Sequence, residues 1–166
     1  VIIGAAKSAT TWLQTQLQAD PAIHMPDPEL HYFSREYARG ESWYLSHFAE
    51  KPEGRLIGEK SNSYLYSAEA AARLHRDLPQ VKLIAQLRNP VERAYSSYCM
   101  LFRRGEVGPN IGSYLDPSSG ENMQILGSGN FYSHLQPFIN LYGREKLLIL
   151  FFEGVTEDPE AQMLRV

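Results

Sequence analysis

The sequence of 166 residues is poor in cysteine, in long apolar runs and in net charge. Its single cysteine, Cys99, excludes an internal disulfide. The longest apolar runs, Val81 to Leu87 and Leu147 to Phe152, are too short for a bilayer span, which needs about 20 residues. Sixteen Lys and Arg against nineteen Asp and Glu give a net charge of -3. We therefore expect no nucleic-acid partner and no membrane contact, and any anionic ligand must be bound locally.

Strand patterns and helix patterns alternate along the chain. The predicted strands are Val1 to Ile3, Leu56-Ile57, Val81 to Leu87 and Lys146 to Phe152. The predicted helices are Thr11 to Ala19, Ser42 to Ala49, Ser67 to Leu78, Pro90 to Arg103, Phe131 to Tyr142 and a last one from Pro159. This order predicts one α/β domain with a central parallel sheet flanked by helices, in which ligands bind beyond the carboxyl ends of the strands.

Other stretches are expected to be irregular. Pro21 to Pro28 contains three prolines, and Gly105 to Gly129 contains six glycines. The chain starts without Met and stops within the helix that opens at Pro159, so we expect a domain over residues 1–166 that is truncated at both ends. On the helix from Pro90, Tyr95 and Tyr98 are expected in the core.

The first turn between strand and helix, Gly4 to Thr11, consists of small residues, hydroxyl residues and Lys7. Small side chains let backbone N–H groups converge on an anion, and the helix N-terminus adds positive potential. The turn therefore favours a phosphate-binding, P-loop-like loop, although a small-residue turn with a solvated lysine fits as well. It is not a Walker A motif, because Lys7 follows Gly4 by three residues and the hydroxyls come after it.

A second cation, Arg88, stands at the carboxyl end of the strand from Val81 to Leu87. A nucleotide kinase usually places a Mg²⁺-binding acid near such a position, whereas arginine binds a further phosphate. Ser96 lies eight residues on and joins Arg88 if the chain folds back around one anion. The alternative is that Arg88 pairs with Glu92. Since no cysteine and histidine cluster has metal-ligand spacing, we expect no metal.

Several segments resemble one family. Lys7 to Leu13 is similar to the 5′-phosphosulfate loop of sulfotransferases that use 3′-phosphoadenosine 5′-phosphosulfate (PAPS), and Arg88 to Tyr98 resembles their 3′-phosphate motif. Pro28 to Phe33, Gly58 to Leu65 and Gly129 to Leu135 resemble segments of the heparan-sulfate-type branch and its bacterial relatives. The segments follow the order of the family from one end of the chain to the other, which is more specific than any single motif.

This resemblance implies PAPS as the donor, 3′-phosphoadenosine 5′-phosphate (PAP) as the product, and no metal. The family's contacts with the 5′-phosphosulfate fall on Lys7, Ser8, Ala9, Thr10 and Thr11. Its contacts with the 3′-phosphate fall on Arg88 and Ser96. Ala9 stands where the family usually has glycine. Because alanine disfavours positive φ, the loop there either stays in the right-handed region or is strained.

The resemblance also implies catalytic residues. Glu29 matches the general base of the heparan-sulfate-type branch, and an acceptor hydroxyl must lose a proton as it attacks sulfur; the alternative is an exposed loop carboxylate. His31 would share the side of Glu29 in an extended segment and orient the base or contact the acceptor, unless it is a structural histidine. Lys7 and Lys60 would stabilise charge at the transferring group, although Lys60 could instead pair with Glu59 or Glu53.

The expected function is in-line transfer of a sulfuryl group from PAPS to a hydroxyl or amine of a small-molecule or saccharide acceptor. The resemblance to the heparan-sulfate-type branch implies a carbohydrate. The alternatives are a noncatalytic nucleotide-binding module of the same fold and a P-loop kinase. The lone cysteine and the lack of an Asn-x-Ser/Thr signal favour a bacterial cytoplasm. The Golgi lumen, typical of eukaryotic carbohydrate sulfotransferases, is the other expectation if a membrane anchor was removed.

Overall fold

The computed structural model describes residues 1–49, 53–118 and 123–166. Its strands are β1 (Ile2–Gly4), β2 (Ile23–His24), β3 (Leu56–Ile57), β4 (Leu83–Leu87) and β5 (Leu147–Phe151). Its α-helices are α1 (Thr10–Ala19), α2 (Glu41–Ser46), α3 (Ala68–Asp77), α4 (Pro90–Arg103), α5 (Ile111–Leu115), α6 (Met123–Gly127), α7 (Phe131–Tyr142), α8 (Phe152–Glu157) and α9 (Pro159–Met163). A π turn, Tyr32–Glu36, lies between β2 and α2.

The central sheet is parallel, with strand order β1-β4-β5. Its edge at β1 is extended by residues 59–61, since Ile2 donates its N–H to the carbonyl of Glu59 (2.9 Å) and accepts from the N–H of Ser61 (3.0 Å). β2 and β3 form a separate two-stranded parallel pair. The predicted α/β fold with a central parallel sheet is confirmed, and the added edge brings Lys60 beside the first strand.

Both faces of the sheet are covered, because successive strand residues point to opposite faces. On one face Ile3 and Leu83 join the larger apolar cluster, to which α3 and α7 contribute. On the other face Ile2 and Leu150 pack with Leu13 of α1. This two-sided burial explains why β5 is a continuous apolar run in the sequence and why β4 is apolar except for Gln86.

Local signals explain where the helices beside the site begin. Ser67 caps α3 by accepting the N–H of Ala70 at 3.0 Å. Asn89 caps α4, with Pro90 as the first helical residue. Gly4 ends β1 with φ 142, and a Cβ there would lie 3.0 Å from the Cβ of Leu65. The loop that follows β1 therefore needs glycine at its entrance.

Some predictions differ from the structure. The stretch from Pro21 to Pro28 was expected to be irregular but contains β2, which is held by its pairing with β3. Phe152 begins α8 instead of continuing the last strand. The segment from Gly105 to Gly129 includes the short helices α5 and α6, and its residues 119–122 lie outside the described residues. Tyr98 is buried as expected, whereas Tyr95 is 55% exposed, so that prediction was wrong.

Candidate active site

The loop between β1 and α1 has an unusual backbone. Lys7 (φ 70) and Ala9 (φ 60) both lie in the left-handed region. Of the two alternatives for Ala9, the structure has the strained one, which costs about 1–2 kcal/mol per residue. Ala9 is the N-cap of α1 and carries no side-chain oxygen, so the first N–H groups of the helix remain available to an anion. Strain of this kind is typical of ligand-binding loops.

Ser8 supplies an independent test of whether this loop fits a phosphate or sulfate group. Its side chain is fully buried, and its Oγ has no hydrogen-bond partner among the described residues. The carbonyl of Ser8 is held by the side-chain amide of Gln86 on β4. A buried hydroxyl without a partner costs about 1–3 kcal/mol. An oxygen of a bound anion would satisfy it, so the residues present fit a phosphosulfate.

Positive charge is concentrated beside the loop despite the negative net charge of the chain. Burial lowers the pKa of Lys7, and the nearby charges of Arg103, Arg104 and Arg88 lower it further. These cations lie close enough to repel one another, and a bound anion would relieve that repulsion. The crowded cations favour an anion site over a small-residue turn with a solvated lysine, and an anion contact for Lys7 stays a prediction.

Arg88 has two sets of contacts. Its Nη2 pairs with Oε2 of Glu92 at 3.1 Å, as the alternative interpretation expected. Its Nη1 lies 3.5 Å from the carbonyl of Lys7, and its guanidinium covers the ring of Phe152 at 4.2 Å. Arg88 therefore stands against the loop as well as against α4. Ser96 is half-buried on α4, about two helical turns after the start of that helix. A 3′-phosphate contact for either residue stays a prediction.

Glu29 is the centre of a second cluster. Its Oε1 accepts from Nδ2 of Asn62 at 2.7 Å, and its Oε2 accepts from the N–H of Asn62 at 2.8 Å. Nζ of Lys60 lies 3.3 Å from Oε1, and Nε2 of His31 lies 3.7 Å from Oε2. The carboxylate is only 23% exposed, so it is not a free loop carboxylate. Three predicted site residues from two segments of the chain, Glu29 and His31 from one and Lys60 from the other, thus meet.

Lys60 connects this cluster to the anion loop. The residue is 4% exposed, and its ammonium group donates to Oγ1 of Thr11 at 3.1 Å while facing Glu29. The alternative in which Lys60 pairs with Glu59 or Glu53 is replaced by this contact with Glu29. One buried ammonium group therefore bridges a carboxylate and the N-terminus of α1.

His31 lies beside Glu29, but not in an extended segment. Its φ is 51, and its Nδ1 is 2.7 Å from Oγ of Ser63. Burial lowers the pKa of His31, and the charge of Glu29 opposes that effect. The imidazole is therefore mainly neutral at pH 7, with Nε2 directed at the carboxylate of Glu29.

Sequence reasoning missed Asn62, which organises the site. Besides its bonds to Glu29, its Oδ1 accepts from Oγ1 of Thr10 at 2.9 Å. The only available signal was its position two residues after Lys60, within the segment from Gly58 to Leu65. An asparagine in a polar loop has no pattern that distinguishes a positioning role from solvation.

A cleft of about 980 Å³ opens next to Glu29. Its described lining includes Glu29, His31, Asn62, Arg93, Arg104 and Ser128. It is large enough for a small-molecule or sugar ligand. The carboxylate of Glu29 is therefore accessible from a cleft on one side and linked through Lys60 to an anion loop on the other.

These features combine an α/β fold, a loop whose residues fit an anion and a carboxylate at the edge of a cleft. A family model described as the sulfotransferase domain matches residues 1–166, and the chain belongs to that family. It is 29% identical over 171 residues to heparan sulfate glucosamine 3-O-sulfotransferase 3A1 of Mus musculus, an alignment that covers 100% of this chain and 44% of the relative. The chain thus spans less than half the length of that relative.

Two further comparisons agree. The chain is 41% identical over 102 residues to the membrane-associated sulfotransferase kil1 of Dictyostelium discoideum, which covers 59% of this chain and 22% of that protein. The crystal structure of a sulfotransferase from Alicyclobacillus acidocaldarius superposes with a TM-score of 0.81 at 27% identity, over 95% of this chain and 74% of that one. Both the sequence and the architecture are therefore those of sulfotransferases.

Two structural features are absent from the described residues. In residues 1–49, 53–118 and 123–166, no helix has the length and apolar character that a membrane crossing requires. Over the same part of the chain, no group of three or more His, Cys, Asp and Glu side chains is placed to hold a metal ion.

Proposed function

We propose that this chain transfers a sulfuryl group from PAPS to a hydroxyl or amine of a saccharide or other small acceptor. The observation that carries the proposal is the bridge formed by Lys60. It joins a carboxylate that borders a cleft, Glu29, to Thr11 at the start of α1. An acceptor in the cleft and an anion at the loop would thus be brought together at one lysine, as group transfer requires.

The donor would be held by two groups of residues. Lys7, Ser8, Ala9, Thr10 and Thr11 would bind the 5′-phosphosulfate through the open amides, the cation and the hydroxyls. Arg88 and Ser96 would bind the 3′-phosphate. When bound, PAPS supplies the sulfuryl group and a phosphate leaving group. The unpartnered Oγ of Ser8 and the crowded cations around Lys7 support the fit.

Glu29 would act as the general base. A carboxylate offers about four acceptor positions. Asn62 occupies two of them and Lys60 faces another, so capacity remains to accept the proton of an acceptor hydroxyl or amine. Asn62 would fix the orientation of the carboxylate, and His31, being neutral, would contact the acceptor or support Glu29. Lys60 and Lys7 would stabilise negative charge that develops near the loop.

The acceptor class rests on similarity. The Mus musculus relative is named for heparan sulfate glucosamine, which supports a carbohydrate acceptor for this chain. The bacterial cytoplasm, with the Golgi lumen as the alternative, remains a prediction, to be checked by fractionating the native host and following the protein with an antibody.

The test is a transfer assay of the full protein with ³⁵S-labelled PAPS against saccharide, phenol, amine and lipid-linked acceptors. We expect label on a saccharide and tight binding of PAP by calorimetry. PAP binding without transfer to any acceptor would instead favour the noncatalytic nucleotide-binding module. Phosphate transfer from ATP that requires Mg²⁺ would favour the P-loop kinase.

A further inference from the structure

Glu59 is a buried carboxyl group with no role in the chemistry described above. The residue is 1% exposed and lies beside β1. Three hydroxyls donate to its carboxylate: Tyr44 to Oε1 at 3.2 Å, Tyr64 to Oε1 at 3.0 Å and Ser61 to Oε2 at 3.1 Å. Burial raises its pKa, and the hydrogen bonds from these hydroxyls oppose that effect. A carboxyl group this deeply buried needs such partners.

Two of the three hydroxyls also accept hydrogen bonds from backbone N–H groups. Oγ of Ser61 accepts the N–H of His31 at 2.9 Å, and the hydroxyl of Tyr64 accepts the N–H of Phe33 at a longer 3.4 Å. A hydroxyl has one proton and two lone pairs. Ser61 and Tyr64 each donate their hydroxyl proton in a hydrogen bond to Glu59. Their oxygen lone pairs are therefore free to accept the hydrogen bonds from the N–H groups of His31 and Phe33.

The backbone that they hold is strained. His31 is left-handed at φ 51, and its carbonyl accepts the N–H groups of Ser34, Arg35 and Glu36 at the start of the π turn. A left-handed residue other than glycine costs about 1–2 kcal/mol and persists only where its surroundings hold it. Glu29 lies two residues before His31, and the π turn follows directly after His31. The backbone conformation of His31 therefore affects where the chain places Glu29.

We propose that Glu59 is a positioning residue of this site, which acts through Ser61, and more weakly through Tyr64, to hold His31 and hence Glu29 in place. The proposal rests on the proposed function for its catalytic consequence. Glu59 itself touches neither donor nor acceptor. Its carboxylate orients the hydroxyls of Ser61 and Tyr64, and these hydroxyls hold the backbone N–H groups at the start of the turn that follows Glu29.

The variants Ser61→Ala and Glu59→Gln test this, with Tyr44→Phe as the matched control. Tyr44→Phe also removes a hydroxyl from Glu59, but it keeps the ring that stacks on Tyr32 at 4.6 Å, and no backbone amide depends on that hydroxyl in the described chain. The readouts are hydrogen exchange of the amides of residues 30–34, PAP affinity, and kcat and KM for transfer.

We expect Ser61→Ala and Glu59→Gln to speed exchange at His31 by about tenfold and to lower kcat by a similar factor, with PAP affinity within about twofold. The double variant should lose little more than either single one, since both break the same chain of contacts. Tyr44→Phe should change neither exchange nor kcat.

Unchanged exchange at His31 in Ser61→Ala would overturn the positioning role, as would equal effects of Tyr44→Phe and Ser61→Ala. The exchange readout does not depend on turnover. If the wild-type protein transfers nothing but the exchange pattern is as expected, the proposed function fails while the hold of Glu59 on the turn is supported.

Discussion

Replacing Lys60 by Met should damage both stability and transfer, because the ammonium group is almost inaccessible and contacts two parts of the site. Lys60 faces Glu29 at 3.3 Å and donates to Thr11 at 3.1 Å. Removing one partner of a fully buried pair costs about 3–5 kcal/mol. Glu29 is 23% exposed and keeps its bonds to Asn62, so we expect a smaller loss of about 1–3 kcal/mol.

Urea unfolding followed by circular dichroism gives the stability change, and the labelled transfer assay gives the rate. A double variant, Lys60→Met with Glu29→Gln, serves as the control, because removing both charges leaves no unpaired carboxylate. The double variant should be less destabilised than the sum of the two single variants. A Lys60→Met protein with wild-type stability and wild-type turnover would refute the bridging role of Lys60.

Three further predictions concern the donor. Arg88→Ala should weaken PAP binding by about 10- to 150-fold, as expected for a charge-assisted contact, and should leave AMP binding unchanged. Calorimetry with both nucleotides measures the two affinities. Equal losses for PAP and AMP would contradict the assignment of Arg88 to the 3′-phosphate. Ser8→Ala removes a buried hydroxyl that has no partner in the described chain, so the unliganded variant should be at least as stable as the wild type in urea unfolding. The same variant should bind PAP about three- to tenfold more weakly in calorimetry. The pKa of Lys7 is lowered, and only its charged form attracts PAP. PAP affinity should therefore fall as the pH rises through that lowered pKa, at a lower pH than for an ordinary lysine, and Lys7→Ala should flatten this part of the pH profile of Kd.

Much of the fold could be predicted because its signals are local. The helix from Pro90 to Arg103 was predicted with its observed bounds, since Asn89 and Pro90 mark its start. The strands β4 and β5 are short runs that are apolar except for Gln86 of β4. In contrast, β2 has two residues and exists through its pairing with β3, so no pattern of its own could reveal it. Tyr95 was misplaced because helical spacing alone does not show which side of α4 is covered.

The sequence indicated which residues belong to the candidate site, but it did not indicate most of the contacts between them. Glu29, His31 and Lys60 were found through similarity of their segments, and the structure shows that they lie together. The partners of the carboxylate could not be predicted, because Asn62 lies 33 residues from Glu29 in the sequence and meets it only in the folded chain. The left-handed backbone at Ala9 likewise follows from the fold, since alanine has no preference for it.

The most direct test of the account is the rate of sulfuryl transfer by Glu29→Gln, compared with its affinity for PAP. Glutamine keeps the shape of the side chain and one acceptor oxygen for the donors of Asn62, but it cannot take a proton. The account therefore predicts a rate that is lower by about 10²- to 10⁴-fold, with PAP affinity within about twofold of wild type. Glu36→Gln, in the neighbouring π turn, is the matched control and should transfer normally. Full turnover of Glu29→Gln on the acceptor that the wild-type protein uses would contradict the account.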